Sequence, residues 1–95
     1  MHVITQKRIW EAKEEYKEAA SALDGWYRLM KSNEFRSFAE LKEVFGSVDK
    51  VDQLYVFNVG GNKLRIVASI LFDRKKVFIR HVLTHKEYDK GNWKE

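Results

Sequence analysis

Between Leu54 and Asp89 the chain reads LYVFNVGGNKLRIVASILFDRKKVFIRHVLTHKEYD, and few folds can accommodate this stretch. Three runs of β-favouring apolar residues follow one another: Tyr55 to Val59, Leu64 to Phe72, and Val77 to Leu83. Gly60-Gly61 suits a tight turn that needs positive φ, and Asp73-Arg74-Lys75-Lys76 is a polar four-residue connection. Two hairpins in succession make an antiparallel meander.

The pleat sorts these side chains, because neighbours along a strand point to opposite faces. A two-residue loop at Gly60-Gly61 pairs Val59 with Asn62, Phe57 with Leu64 and Tyr55 with Ile66. A loop at 73–76 pairs Phe72 with Val77 and Ile70 with Ile79. One face then collects Tyr55, Phe57, Leu64, Ile66, Ala68, Ile70, Phe72, Val77 and Ile79, a core face on which His81 also falls as a packed histidine. The other collects Asn58, Lys63, Arg65, Val67, Ser69, Arg80 and Thr84, an electropositive floor with His85, Lys86 and Tyr88 at its edge. A register slip of a single residue would scatter this grouping.

A sheet with one apolar face needs a cover, and only the N-terminal half can supply it. His2-Val3-Ile4-Thr5 is β-prone and suits an edge strand. Ile9, Ala12, Tyr16, Ala19, Leu23, Trp26 and Met30 then recur at alternating steps of three and four, the stripe of an amphipathic helix. Ser21 and Asp24 point to a break and a second helix start, giving a helical hairpin, with one continuous helix as the alternative. Trp10, Trp26 and Tyr27 are expected in the core or at its margin. Ser37-Phe38-Ala39-Glu40 reads as a capping box opening a short helix through Phe45, stopped by Gly46. Asp49 to Gln53 is expected as a connecting turn. Trp93 lies in a charged tail, either docked on the body or free for a partner. The fold class expected is α+β: a small antiparallel sheet, edge strand plus three-strand meander, covered on one face by N-terminal helices.

Ninety-five residues without proline or low-complexity segments suit a single domain over residues 1–95. The absence of cysteine excludes disulfides, thiol catalysis and cysteine-ligated metals, and suits a reducing cytoplasm. No apolar run approaches the ~18 residues of a membrane span, and no signal-peptide core opens the chain. A formal charge of +4 favours polyanionic partners.

The run FNVGGNKLRIVASI followed by VFIRHVLTHKEYD resembles the signature of HigB-type toxins in the RelE/ParE superfamily of toxin–antitoxin systems, and the opening MHVITQK resembles that family's start. The resemblance covers essentially the whole chain. It implies a RelE-like fold and an endoribonuclease that cleaves messenger RNA on the ribosome. It further implies a cognate antitoxin of the helix-turn-helix class, through which operator DNA is contacted indirectly, and no membrane partner.

RNA brings its own nucleophile, the 2′-hydroxyl beside the scissile phosphate. Cleavage then needs a group to take the 2′ proton, cations for the phosphorane charge, and a group to protonate the 5′ oxygen. The sequence offers no convincing metal cluster, so neither metal nor cofactor is expected. Arg65 and Arg80 are the charge stabilisers, since a forked guanidinium matches phosphate oxygens. His85 is the acid/base candidate, because histidine titrates nearest neutral pH. Tyr88, one helical turn on, is placed to stack on a base, donate a hydrogen bond or assist proton transfer. Lys63 completes the catalytic set and, with Lys86, Asn62 and Asn58, the RNA-binding set; Asp89 is a weak candidate to orient His85. Two other readings stay open: a ParE-like toxin acting on DNA gyrase, and a non-catalytic RNA-binding module.

Overall fold

The computed structural model describes residues 1–61 and 63–94. It has the expected α+β layout, with a larger sheet. After β1 (His2–Val3) come α1 (Lys7–Glu15), a 3₁₀ turn at Lys17–Ala19, α2 (Ala20–Ser32) and α3 (Phe38–Val44). The strands β2 (Asp49–Val51), β3 (Leu54–Val59), β4 (Leu64–Leu71) and β5 (Lys76–Thr84) follow, and α4 (His85–Lys90) leads into a last 3₁₀ turn, Asn92–Lys94. The sheet order is β1-β5-β4-β3-β2. β1 lies parallel to β5, so the sheet is mixed and not wholly antiparallel.

The expected connecting turn at 49–53 is instead β2 plus a two-residue turn. Asp49, Lys50 and Val51 pair with Val56, Tyr55 and Leu54, and Asp52 makes the reversal at φ 56°, a conformation that aspartate tolerates. The helical hairpin forms, but its break falls at Tyr16 (φ −118°, ψ 70°), not at Ser21–Asp24. Packing overrides the capping signal there. Asp24 sits inside α2 and ion-pairs with Lys13 at 2.6 Å, tying the two helices together, while Ala19 is buried against the Gly60 turn. Ser37 caps α3 by accepting from the Glu40 N–H at 3.3 Å, whereas the Glu40 carboxylate turns to the Arg36 N–H at 2.8 Å. α3 ends at Val44, one residue short of Phe45.

Both hairpin registers differ from expectation by two residues. Val59 pairs with Leu64 and Phe57 with Ile66, and Gly60 and Gly61 turn the chain at φ 65° and 67°. Ile70 pairs with Val77 across a 72–75 loop. A shift of two leaves every side chain on its face, and the core face forms as expected. Phe57, Leu64, Ile66, Ala68, Val77 and Ile79 are all buried beneath Ile9, Leu23, Trp26, Met30 and Leu41 of the helices. Phe57 meets Trp26 edge-on at 5.3 Å. Tyr27 is half-buried, and Trp10 lies exposed against it at 5.1 Å.

A β-bulge interrupts the ladder between β4 and β5. Ala68 pairs with Ile79 but Val67 with His81, so Arg80 is the extra residue on β5. Beyond it every side chain is inverted relative to a regular strand. Val82 joins the main core, and Thr84 stands opposite the core residue Leu64. His81 and Leu83 move to the opposite face, which corrects the expectation of His81 packed in the core. That second face is also less polar than expected. Val56 and Val67 are buried there under Trp93, with Val51, Leu54, Leu83 and Tyr88 around them.

Candidate active site

The site is built where β5 runs into α4. Thr84 opens the helix with a full capping box: its hydroxyl accepts from the Glu87 N–H at 3.2 Å, and Glu87 Oε1 accepts from the Thr84 N–H at 2.9 Å. The Lys63 carbonyl accepts the His85 N–H at 3.3 Å, tying the β3–β4 turn to the helix start. Gly91 ends α4 in the left-handed region at φ 75°, which turns the chain back and lays Trp93 on the sheet. Trp93 Nε1 donates to the Tyr88 carbonyl at 2.9 Å, and the two rings stack at 5.0 Å and 14°. Trp93 is therefore docked on the body.

Arg65 is the centre of this arrangement. It is only 7% exposed, against the expectation of an open floor position. Nη1 donates to the Leu64 carbonyl at 3.3 Å, Nη2 lies 3.0 Å from His85 Nδ1, and the guanidinium carbon is 5.7 Å from the centre of the Tyr88 ring. Among the described residues no carboxylate pairs with it, although buried charges are normally paired. Asp89 Oδ2 lies 3.3 Å from His85 Nε2 on the other side of the ring. Arg65, His85, Tyr88 and Asp89 thus form one connected group.

The remaining expected residues take different places. Asn58 stands opposite Arg65 on β3, and exposed Lys86 lies on α4. Lys63 sits in the turn before β4 and not in the strand, with its side chain exposed. Asn62 lies outside the described residues. Arg80 is exposed at the bulge, three residues from Leu83, the partner of Arg65, or about 10 Å along the strand. It is not in contact with the Arg65 group. Sequence reasoning assigned no role to Trp93 or Glu87, although Thr84-x-x-Glu87 carried a readable capping signal.

His81 now lines a groove of about 310 Å³ with Leu83, Glu87, Lys90, Asn92 and Trp93. Burial, then Arg8 and Arg80, hold its imidazole below the usual 6.5. A larger cavity of about 580 Å³, beside Lys31, Arg74 and Lys76, opens at the other end of the sheet, roughly 23 Å away along β4. Among the described residues no three His, Asp or Glu side chains converge as metal ligands. Nor is any described helix long and apolar enough to cross a membrane.

Helices over one face of a five-strand mixed sheet, with an arginine, a histidine and a tyrosine gathered where the last strand meets the last helix, fit the RelE-like α+β class. Residues 19–91 match the HigB_toxin family, described as the RelE-like toxic component of a toxin–antitoxin system. The chain is 45% identical over 92 residues to the mRNA interferase toxin HigB of Escherichia coli K12, covering 94% of this chain and 88% of that protein. The same figures hold for the mRNA interferase HigB of Shigella flexneri. The mRNA interferase HigB of Escherichia coli O6:H1 (strain CFT073) is 37% identical over 93 residues, covering 95% and 90%. The chain belongs to the HigB toxin family.

Proposed function

We propose that this toxin is an endoribonuclease that cleaves mRNA without a metal ion, and that the reaction takes place at Arg65, His85 and Tyr88. The observation that supports this most directly is the buried Arg65 guanidinium, which no described carboxylate pairs and which is held beside an exposed histidine. A phosphate oxygen is the natural partner for such a group.

In the reaction the 2′ oxygen bonds to phosphorus and the bond from phosphorus to the 5′ oxygen breaks, leaving a cyclic phosphate and a 5′-hydroxyl. One proton leaves the 2′-hydroxyl and one reaches the 5′ oxygen. Arg65 offsets the charge of the phosphorane, and His85, oriented by Asp89, exchanges a proton. The Tyr88 ring is already stacked on Trp93 and approached by Arg65, so its part is to hold the arginine and to present its hydroxyl rather than to stack on a base. Lys63, Lys86, Asn58 and Asn62 bind the flanking RNA, and Arg80 adds long-range attraction. The wider reading places the toxin on ribosomes in the cytoplasm, with a helix-turn-helix antitoxin through which operator DNA is contacted.

The test is cleavage of a defined transcript, naked in the presence of a chelator and ribosome-bound in magnesium-containing buffer. Cut RNA that is lost with His85→Ala supports the reading. Intact RNA in both settings, with growth arrest and DNA breaks in cells, would replace it with gyrase inhibition.

A further inference from the structure

We infer that the outer side of the helical hairpin, together with the β4–β5 turn, is a second RNA-contact surface. It holds the phosphates of an unpaired RNA segment and stacks one of its bases on Trp10. The inference rests on the reading of the toxin as a protein that acts on RNA, and it puts a contact far from the cut. The cavity beside Arg74 opens roughly 23 Å from the Arg65 end of β4. That is about seven nucleotides at the ~3.4 Å rise of a stacked strand, so the nucleotides at the cut do not reach it.

Two grooves meet there. Tyr27, Lys31, Arg74, Lys75 and Lys76 border the cavity of about 580 Å³, and an adjoining groove of about 460 Å³ shares Tyr27 and Lys31 and adds Arg28. Among the described residues none of these cations is in an ion pair. The acids beside them are Glu34, Asp73 at the turn, and Asp24, which Lys13 already pairs at 2.6 Å. Such an excess of cations, spread over two grooves, suits a run of phosphates. The turn is also fixed in place, because the Lys75 carbonyl accepts the His2 N–H at 2.8 Å.

Aromatic rings alternate with these charges. Lys13 Nζ lies 5.2 Å from the centre of the Trp10 ring, Trp10 meets Tyr27 edge-on at 5.1 Å, and Lys31 Nζ lies 5.8 Å from the Tyr27 centre. The Tyr27 hydroxyl donates to Gln6 Oε1 at 2.7 Å, which holds that ring. Trp10 is thereby positioned while 43% of its surface stays exposed. A held, open indole among cations matches single-stranded nucleic acid, which brings bases to stack and a backbone to neutralise. An acidic protein segment would match the cations alone, and the ring among them favours RNA.

The experiment uses the full chain, with Trp10→Ala and the double variant Lys31→Ala/Arg74→Ala, each checked by thermal unfolding. The probes are an unstructured 2′-O-methyl RNA of about thirty nucleotides, whose capped 2′ oxygen cannot attack, and ribosomes. Trp10→Ala should weaken binding on the order of tenfold. The double variant should flatten the log–log salt slope by about 1.4, or 0.7 for each of two single-strand contacts. Cleavage of a short RNA spanning the cut should stay within about twofold of wild type in both, since the two places are far apart. Weaker binding of the long strand assigns the surface to the substrate's own distal segment, and weaker binding of ribosomes alone assigns it to a separate folded RNA. Either outcome supports the surface. Unchanged affinity for both probes overturns it, and so does an equal loss in short-RNA cleavage. Weakened binding of a co-expressed antitoxin with RNA affinity intact also overturns it, giving the surface to a protein. If wild type cuts no RNA while these variants still weaken RNA binding, the catalytic reading falls and this surface stands.

Discussion

Nη2 of Arg65 stands 3.0 Å from Nδ1 of His85, and this contact sets the chemistry of both side chains. A guanidinium has no acceptor, so Nδ1 must be the acceptor, and the neutral ring then carries its proton on Nε2. That nitrogen faces Asp89 Oδ2 at 3.3 Å. Arginine, histidine and carboxylate are thereby aligned across one turn of α4, with the proton on the side of the ring away from the buried charge.

Lysine at position 65 would keep the charge and lose the fork. Arg65→Lys should lower the RNA cleavage rate by ~10²–10³. Arg65→Ala should lose activity to the same degree and also lower stability by about 1–3 kcal/mol, because the side chain is buried beneath Tyr88. Single-turnover cleavage and thermal unfolding on the same preparation check both. Wild-type rates in the lysine variant would show that Arg65 does not bind the reacting phosphate.

Tyr88→Phe keeps the stack on Trp93 and the face toward Arg65, so its melting temperature should match wild type while any loss of rate reports the hydroxyl. Tyr88→Ala removes the stack and should destabilise the protein by about 1–2 kcal/mol as well as reduce cleavage. Equal stability of the two variants would mean that the stack does not hold the tail.

His81 gives a pH signature. Its folded-state proton affinity is lowered, chiefly by burial, so below about 6.5 the unfolded chain binds the extra proton more readily. Stability should therefore be fully present above that value and fall as pH drops below it. His81→Asn lacks this component, and the gap between the two proteins should shift against wild type between about pH 7.5 and 5.5. Urea unfolding at the two pH values measures it, and parallel curves would contradict the burial of this ring.

Lys86→Ala should flatten the salt dependence of RNA binding by about 0.7 in the log–log slope, one phosphate contact on a single strand. Measured Kd values at several salt concentrations give the slope directly, and an unchanged slope would place Lys86 outside the RNA path.

Ile66→Ala should cost about 2–5 kcal/mol, because Ile66 has no exposed surface and its methyl groups fill the space under the helices. Arg80→Ala should stay within ~0.5 kcal/mol of wild type, since the side chain is exposed at the bulge. Denaturant titration separates the two. A large loss at Arg80 would mean that the bulge depends on that side chain.

The faces of the sheet were legible in the sequence because side chains alternate with a period of two. Tyr55, Phe57, Leu64, Ile66 and Val77 reach the core even though both hairpins pair two residues away from the expected register. The Gly60-Gly61 turn, the Ser37 cap and the short helix carrying His85 and Tyr88 were equally readable, since each depends on local backbone chemistry. The tertiary structure alone decided the bulge at Arg80, the transfer of His81 to the Arg65 face, the burial of Arg65 and the return of Trp93 onto Tyr88. Each of these depends on which residue stands opposite across a strand, or on a contact with another element. A bulge costs only one extra residue in a run of otherwise ordinary strand formers, so no local window of the chain records it, yet it inverts everything downstream and determines which histidine faces the arginine side of the sheet.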